Sequence, residues 1–441
     1  MRLYSRDAIA AVIGPIGVIV LTITPIFLIP LADRFTTGSG TLLNIGRIAG
    51  LAGMTLFSLA LILSARFAFL EIWFGGLDRM YRMHHRMGVI AFLLLLIHPL
   101  TLVASYLPTS FTYATSLLIP GSDWAINYGL LALVGMIMLI ILAVFADSFT
   151  FLPYQFLKRS HSFFGIFFFF AFLHTMLIPS DVSRNYFLKS YFILLSSAAI
   201  ASYAYCTLGG KFWIKRYAYR VQEIRRPINT ITEIRMLPYG KAFKYKPGQF
   251  IFIHFEGENI SREVHPFSLS STPYEHEISI TVKALGSYTA QLANLQQGTV
   301  AKIEGPYGRF SFLNAPTRKQ VWIAGGIGIT PFLSMARTLT HLTGSAFEID
   351  LYCCAKTWEE MFYLPELEHI VKLYPSLRVF SFYSNTSDYL TVDALVKQSG
   401  SFADKAFFLC GPPAMMRNLH NQLKKIGVPK HLLHNEAFQL L

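Results

Sequence analysis

The chain of 441 residues is 53% hydrophobic and 14% charged, with a mean hydropathy of +0.44. That balance excludes an ordinary soluble globule, and the length exceeds one domain. The net charge of +13 reads as membrane topology and attraction to anionic lipid, with no need for nucleic acid, and the four cysteines, Cys206, Cys353, Cys354 and Cys410, make no disulfide framework and fit a reducing compartment.

Six apolar runs are long enough to span a bilayer: residues 8–32, 41–66, 83–107, 128–146, 161–179 and 186–208. The first exceeds a signal-peptide core and lacks a clear small-residue cleavage site, so an uncleaved span is expected. Basic residues gather at alternate ends of these runs: Arg2 and Arg6; Arg66, Arg79, Arg82 and Arg86; Lys158 and Arg159; then Lys211, Lys215, Arg216, Arg220, Arg225 and Arg226. The opposite loops offer Arg34, Arg184 and Lys189. The positive-inside rule then places both termini in the cytoplasm of a plasma (bacterial inner) membrane protein.

All five histidines of the first 210 residues fall in two of these segments. His84 and His85 open the third run and His98 lies inside it; His161 heads the fifth run and His174 lies within it. An imidazole in hydrocarbon is costly without a partner, so four histidines at matching depths predict ligands for two haems. His84 and His98 are fourteen residues apart, which on a helix is about 21 Å along the axis and nearly one face. His161 and His174 are thirteen apart and point about 140° away from each other on an ideal helix, so that helix needs a bulge or bend. His84-x-x-x-Gly88 matches His161-x-x-x-Gly165, favouring His84 over His85, with the glycines letting a flat macrocycle approach. Arg47, inside the second run, either pairs a haem propionate or snorkels to the outer headgroups.

After Gly209-Gly210, segments 249–255, 277–283 and 299–304 are strand-like and spaced as in a small antiparallel barrel. From Thr317 the pattern becomes strand, glycine turn, helix: residues 320–324 lead into Gly325, Gly326, Ile327, Gly328, Ile329, Thr330 and Pro331. Glycines between a strand and a helix suit a pyrophosphate, and Pro331 suits a first helical turn. The expected domains are 1–210 (six-helix transmembrane di-haem domain), 211–316 (β-barrel) and 317–441 (α/β nucleotide-binding domain).

His265-Pro266-Phe267-Ser268-Leu269-Ser270-Ser271 resembles the flavin-binding signature of the NADPH oxidase and ferric reductase family. Lys283-Ala284-Leu285-Gly286-Ser287-Tyr288-Thr289 resembles its flavin pyrophosphate segment, Gly305-Pro306-Tyr307-Gly308 its barrel-closing turn, and residues 325–331 its pyridine-nucleotide loop. Cys410-Gly411-Pro412-Pro413 resembles the nicotinamide-side motif, and Glu436-Ala437-Phe438 the segment whose aromatic covers the flavin.

The resemblance implies a membrane α-helical bundle followed by a ferredoxin-reductase-like module, with FAD, two b-type haems and NADPH or NADH. Phe267 and the hydroxyls of Ser268, Ser270 and Ser271 are expected at the flavin ring, Lys283 and the backbone near Gly286 at its phosphates, and Cys410 beside the hydride-donating carbon. Lys356 stands where relatives often place an arginine for a 2′-phosphate, leaving NADPH against NADH open. The expected path runs from cytoplasmic NAD(P)H through FAD to an inner haem on His84 and His161 and an outer haem on His98 and His174.

Two histidines per iron favour outer-sphere reduction of an external acceptor. Molecular oxygen giving superoxide and a ferric chelate both fit; loop 108–127, charged only at Asp123, inclines the reading to oxygen. The alternatives are a haem-free membrane-anchored flavin reductase and an electron-transfer subunit for a membrane partner protein. The short carboxy-terminal tail and lack of a calcium-binding extension lead us to expect a minimal, constitutively active member.

Overall fold

The computed structural model describes residues 2–29, 35, 37–144, 154–209, 213–257, 260–342, 344, 347–386, 389–402 and 404–436. The chain divides into a helical unit, Ile9–Ile214, and a second unit formed mainly by the chain from Lys215 onward.

The helical elements are α1 (Arg2–Phe27), α2 (Gly38–Ser64), α3 (Ala68–Phe74), α4 (Leu77–Tyr106), α5 (Phe111–Ser116), α6 (Trp124–Val144), α7 (Tyr154–Ser162), α8 (Phe164–Leu177), α9 (Asp181–Arg184) and α10 (Tyr186–Tyr203). Several of them start on side chains that cap free backbone N–H groups. Thr37 Oγ1 accepts from Gly40 N at 3.1 Å ahead of α2, Ser110 caps α5, and Asn185 Oδ1 accepts from Leu188 N at 3.0 Å ahead of α10.

Among the described residues, five stretches are long and apolar enough to cross a membrane: Gly38–Ser64, Leu77–Tyr106, Trp124–Val144, Arg159–Leu177 and Tyr186–Thr207. The first of the six expected runs is helical but contributes a shorter apolar stretch, Ala11–Phe27. It contains Pro15 and Pro25, each of which removes a helix N–H donor.

Helix α2 is the buried member of its unit, and its internal hydroxyls are satisfied locally. Thr55 Oγ1 donates to Leu51 O at 2.9 Å and Ser58 Oγ to Met54 O at 2.8 Å. A Cβ on Gly53 would lie 2.9 Å from Leu95 Cγ, so the small residue is what lets α4 pack this close.

The fifth run is interrupted where its histidine spacing demands. Helix α7 ends at Ser162 and α8 starts at Phe164, with Phe163 N donating to Ser160 O at 3.0 Å and Ile166 N to Phe163 O at 2.9 Å. These i→i−3 bonds tighten the turn and change the helical phase between His161 and His174.

The second unit has two sheets. Strands β1 (Tyr217–Ile228), β2 (Ile231–Pro238), β3 (Phe250–Glu256), β4 (His265–Ser268), β5 (Ile278–Lys283) and β6 (Val300–Tyr307) pair antiparallel in the order β4-β3-β6-β1-β2-β5. A Leu269–Ile280 bridge joins the two ends into a barrel. Alternation sets the faces: Ile251, Ile253 and Phe255 point inward with Tyr219, Ile234, Ile280 and Ile303.

Strands β7 (Lys319–Gly325), β8 (Glu348–Ala355), β9 (Leu377–Tyr383), β10 (Ala406–Cys410) and β11 (Leu433–Glu436) form a parallel sheet in the order β11-β10-β7-β8-β9. Being covered on both faces, β7 is apolar without alternation: Val321, Trp322, Ile323 and Ala324 are all fully buried. The chain moves outward from β7 to β9 and returns to the other side of β7 at β10. The gap between the ends of β7 and β10 is therefore the switch point where such sheets bind ligands.

Barrel and sheet meet at Gly248, whose φ is +91°. A Cβ there would fall 2.0 Å from Phe310 O and 2.4 Å from Met335 Cε. Gly248→Ala is expected to destabilise this unit by about 3 kcal/mol through overpacking and backbone strain. Gly240→Ala, at φ +109° with nothing within 4 Å, should cost about 1 kcal/mol. Thermal unfolding of the two variants side by side checks the difference.

Candidate functional site

The structure brings the four transmembrane histidines together in two pairs. The ring centres of His84 and His161 lie 6.2 Å apart, and so do those of His98 and His174. The gap in each pair would accommodate one metal ion bound by a nitrogen of either ring at about 2.0 Å per bond. Three rings are held from behind: His84 Nδ1 donates to Ala60 O at 2.8 Å, His98 Nδ1 to Gly46 O at 2.8 Å and His174 Nδ1 to Ala125 O at 2.7 Å. Donation at Nδ1 fixes the tautomer with the Nε2 lone pair free for a ligand bond.

Among the described residues no group of three or more His, Cys, Asp or Glu side chains gathers as a metal site; a haem would be held by the two histidines of a pair. His85 is exposed and outside both pairs. Of the two glycines expected against a macrocycle, Gly88 faces open space, whereas a Cβ on Gly165 would meet Tyr203 at 2.3 Å. Gly165 thus serves packing against α10.

A cavity of about 440 Å³ touches His98 and His174, with Arg47, Tyr106, Asp123 and Asp181 among its lining residues. Arg47 Nη1 lies 4.0 Å from Asp181 Oδ2. The carboxylate at its side is a neighbour the sequence reading did not supply.

In the barrel, His265, Pro266 and Phe267 are partly exposed and Ser268 is buried. Ser268 Oγ and Tyr288 OH are buried without a protein partner, which costs about 1–3 kcal/mol each unless a ligand satisfies them. Such orphaned groups in the flavin signature fit a flavin.

Ser270 and Ser271 are not available to it. Both are fully buried, with Ser270 Oγ on Ser279 Oγ at 2.9 Å and Ser271 Oγ 2.8 Å from Tyr245 OH while accepting from Ser279 N at 2.9 Å. Their hydroxyls tie the chain just after β4 to β5 instead. His265 stacks on Tyr288 at 4.0 Å and meets Glu263 Oε2 at 2.9 Å.

In the pyrophosphate segment, Thr289 Oγ1 accepts from Leu285 N and Gly286 N at 2.9 and 3.0 Å, while Gly286 and Ser287 are exposed. Lys283 Nζ donates to Glu360 Oε1 at 2.8 Å, and Glu360 Oε2 accepts from Lys356 N at 3.1 Å. Burial pulls the Glu360 carboxyl up, but these bonds outweigh it and hold the group below its ordinary value. Lys356 is exposed at the end of β8.

At the switch point, Gly326 has φ +53° and open space beside it, as a loop that receives a ligand requires. A Cβ on Gly328 would fall 2.4 Å from Cys410 O, and a Cβ on Gly411 would fall 2.8 Å from Gly325 Cα. The two glycine motifs therefore touch backbone to backbone at the ends of β7 and β10. Thr330 Oγ1 donates to Ile327 O at 3.1 Å, and Pro331 opens the helix Thr330–Leu339. Pro412 is exposed beside Cys410, which is fully buried; burial, with Glu436 nearby, pushes its thiol well above the ordinary range. The thiol is thus neutral at physiological pH. Phe438 lies outside the described residues.

One polar face of the helix Thr330–Leu339 grips residues 270–272, just after β4, at the end of the flavin signature, which motif reading missed. Ser334 Oγ donates to Ser271 O at 2.5 Å, Arg337 Nη1 to Ser270 O at 2.8 Å, and Thr338 Oγ1 lies 3.0 Å from Thr272 Oγ1. Arg337 also holds Glu366 through two bonds of 2.6 and 2.9 Å and lies 3.7 Å from Glu233. Polar residues at i, i+3 and i+4 on an otherwise buried helix were the available signal.

Three family models match the chain in order: the ferric reductase like transmembrane component over residues 49–172, an FAD-binding domain over 219–311 and the oxidoreductase NAD-binding domain over 322–421. The chain has the domain architecture of the NADPH oxidase and ferric reductase family. The matches describe FAD-binding and oxidoreductase NAD-binding domains behind a ferric reductase-like transmembrane segment.

The reductase subunit of glycine betaine monooxygenase from Chromohalobacter salexigens is 30% identical over 211 residues, 44% of this chain and 56% of that one. The reductase component of propane 2-monooxygenase from Rhodococcus jostii is 28% identical over 235 residues, 50% of this chain and 62% of that one. The match thus spans less than two thirds of either relative. Among solved structures, the FAD/NAD-binding domain of nitric oxide dioxygenase from Vibrio cholerae aligns over 50% of this chain and 97% of its own, at 24% identity and a TM-score of 0.44.

Arg337→Met removes the guanidinium that joins Glu366, Glu233 and Ser270 O, and is expected to cost about 3 kcal/mol. By loosening the glycine loop against the flavin strand it should also slow flavin reduction about 10–100-fold. Stopped-flow absorbance with NADPH or NADH, alongside thermal unfolding, measures both; Arg337→Lys should recover part of each.

Proposed function

We propose that this family member carries electrons from cytoplasmic NAD(P)H across the membrane to an acceptor on the outer face. The observation that carries the reading is the pair of imidazole pairs at 6.2 Å in the segment matching the ferric reductase transmembrane component. When bound, FAD supplies the conversion of a two-electron hydride into single electrons, and two b-type haems relay them singly.

The chain's own residues hold and orient these groups. His84 and His161 form the inner ligand pair and His98 and His174 the outer, with domains at 1–210, 211–316 and 317–441 and both termini cytoplasmic. Phe267 and Ser268 face the flavin ring, with Lys283, Gly286, Ser287 and Thr289 toward its phosphates. Lys283 and Glu360 form an ion pair between the residues assigned to FAD and those assigned to the nucleotide. The loop Gly325, Gly326, Gly328, Thr330 and Pro331 receives the dinucleotide phosphates, Lys356 its adenosine end, and Cys410, Gly411 and Pro412 the nicotinamide. A neutral Cys410 leaves that wall uncharged, which suits hydride movement with water excluded. Phe438 is assigned to cover the flavin.

Oxygen, reduced to superoxide, is the acceptor this reading favours. Loop 108–127 carries no basic residue to attract an anionic ferric chelate. A second reading, an electron-transfer subunit serving a membrane partner, is favoured by relatives that are reductase components of monooxygenases.

Absorbance of the detergent-purified chain with FAD, before and after anaerobic NADPH, should show b-type bands that appear on reduction and vanish in air with matching superoxide. Rapid reoxidation only by a ferric chelate would make it a metalloreductase; no reoxidation without a membrane fraction would favour the subunit reading. His98→Ala or His174→Ala should lose one haem per chain and keep flavin reduction. Retention of two haems in either variant refutes the ligand assignment.

A further inference from the structure

In an α-helix each Cβ tilts toward the N-terminus, so a side chain lies over the turn before it and covers the carbonyl four residues back. That carbonyl already accepts the helix N–H. A second donor from a neighbouring helix meets least obstruction there where the covering side chain is absent or turned away.

His98 Nδ1 donates to Gly46 O, and His174 Nδ1 to Ala125 O. Four residues beyond each acceptor stands a glycine, Gly50 on α2 and Gly129 on α6. A Cβ built on Gly50 would lie 2.8 Å from His98 Nδ1 and 3.1 Å from its Cε1. A Cβ built on Gly129 would lie 2.8 Å from His174 Nδ1 and 3.1 Å from its Cε1. The neighbour in each case is an aromatic ring whose other edge faces the partner histidine at a fixed distance, so it cannot retreat without breaking the pair.

The two helices reach this arrangement with parallel spacings, Gly46-x₃-Gly50-x₂-Gly53 and Ala125-x₃-Gly129-x₂-Ala132. Packing alone does not explain it, because packing glycines stand beside these two and meet different groups. A Cβ on Gly53 would strike Leu95, and one on Gly135 would strike Phe167. The inner pair differs: His84 uses Ala60 O near the end of α2, where the residue four on is Ser64, the last of the helix, with its hydroxyl on Leu61 O. Among the described residues His161 shows no such carbonyl bond.

We propose that Gly50 and Gly129 are positioning residues of the outer histidine pair. Each uncovers one helix carbonyl, which takes the Nδ1 proton, locks the ring orientation and leaves Nε2 aimed between the pair. The inference rests on the bis-histidine reading above and adds that the outer haem depends on two glycines and the inner on none.

The test uses the full chain in detergent, with haem-to-protein ratio, haem transfer to excess apomyoglobin and spectroelectrochemical midpoints as readouts. Gly50→Ala and Gly129→Ala should each speed loss of one haem about 10–100-fold, the usual cost of removing a partner behind a ligand. The midpoint of that haem should move positive, because an imidazole without its Nδ1 acceptor is a poorer donor to ferric iron. The other haem should be unchanged, whereas Gly53→Ala, which strains the contact with Leu95 on α4 without reaching His98, should lower the thermal midpoint without selecting the outer haem.

Glycine variants that keep wild-type loss rates and midpoints overturn the proposal, as does Gly53→Ala matching them. Should the alanines prevent folding, the wild type still decides: the haem missing from His98→Ala should be the slower to leave, and equal or faster loss overturns it. A wild type without haem fails the bis-histidine reading itself, a separate outcome.

Discussion

An imidazole inside an apolar helical unit persists only when both ring nitrogens are engaged. Three of the four histidines meet half of that demand with a helix carbonyl behind the ring, and the ring of each pair opposite leaves space for the other half. Much of the helical unit follows from this requirement. α2 is buried because its carbonyls serve both histidines of α4, fourteen residues apart at Ala60 and Gly46 just as His84 and His98 are. The break at Phe163 follows as well, since a continuous helix would turn His161 and His174 to different sides.

In the second unit the corresponding constraint is the grip of one helix on one strand. Ser334, Arg337 and Thr338 hold the backbone and hydroxyls of residues 270–272, so the helix that follows the dinucleotide loop is bonded directly to the end of the flavin signature. Hydride transfer requires reacting atoms held about 3–3.5 Å apart. A buried arginine with two carboxylates and a carbonyl is a stiff way to hold that geometry, because its fork has fixed directions. The same logic places Glu360, bonded to Lys283 and to Lys356 N, between residues assigned to two different cofactors.

Much of this was legible in the chain. The barrel strands, the parallel sheet and the glycine turn announce themselves because period and turn chemistry are local properties. Histidine is rare enough in apolar segments that its clustering pointed to the pairs. Other readings did not survive contact with neighbours. Ser270 and Ser271 look like flavin ligands in a motif, yet they face the barrel seam, and Gly165 looks like a haem glycine, yet Tyr203 occupies its face. Motif membership names a residue without saying which way it points.

Sequence by itself determined the class of the protein: apolar spans with histidines at matched depths, a barrel, and a nucleotide-binding sheet, in that order. Those features depend on composition and on spacings of a few residues, which the chain carries without folding. Only the tertiary structure decided which carbonyl meets which ring, why Gly50 and Gly129 carry no side chain, and that Arg337 ties helix to strand. These contacts join residues some 49 to 67 positions apart, and no local period encodes a partner at that distance; packing alone selects it.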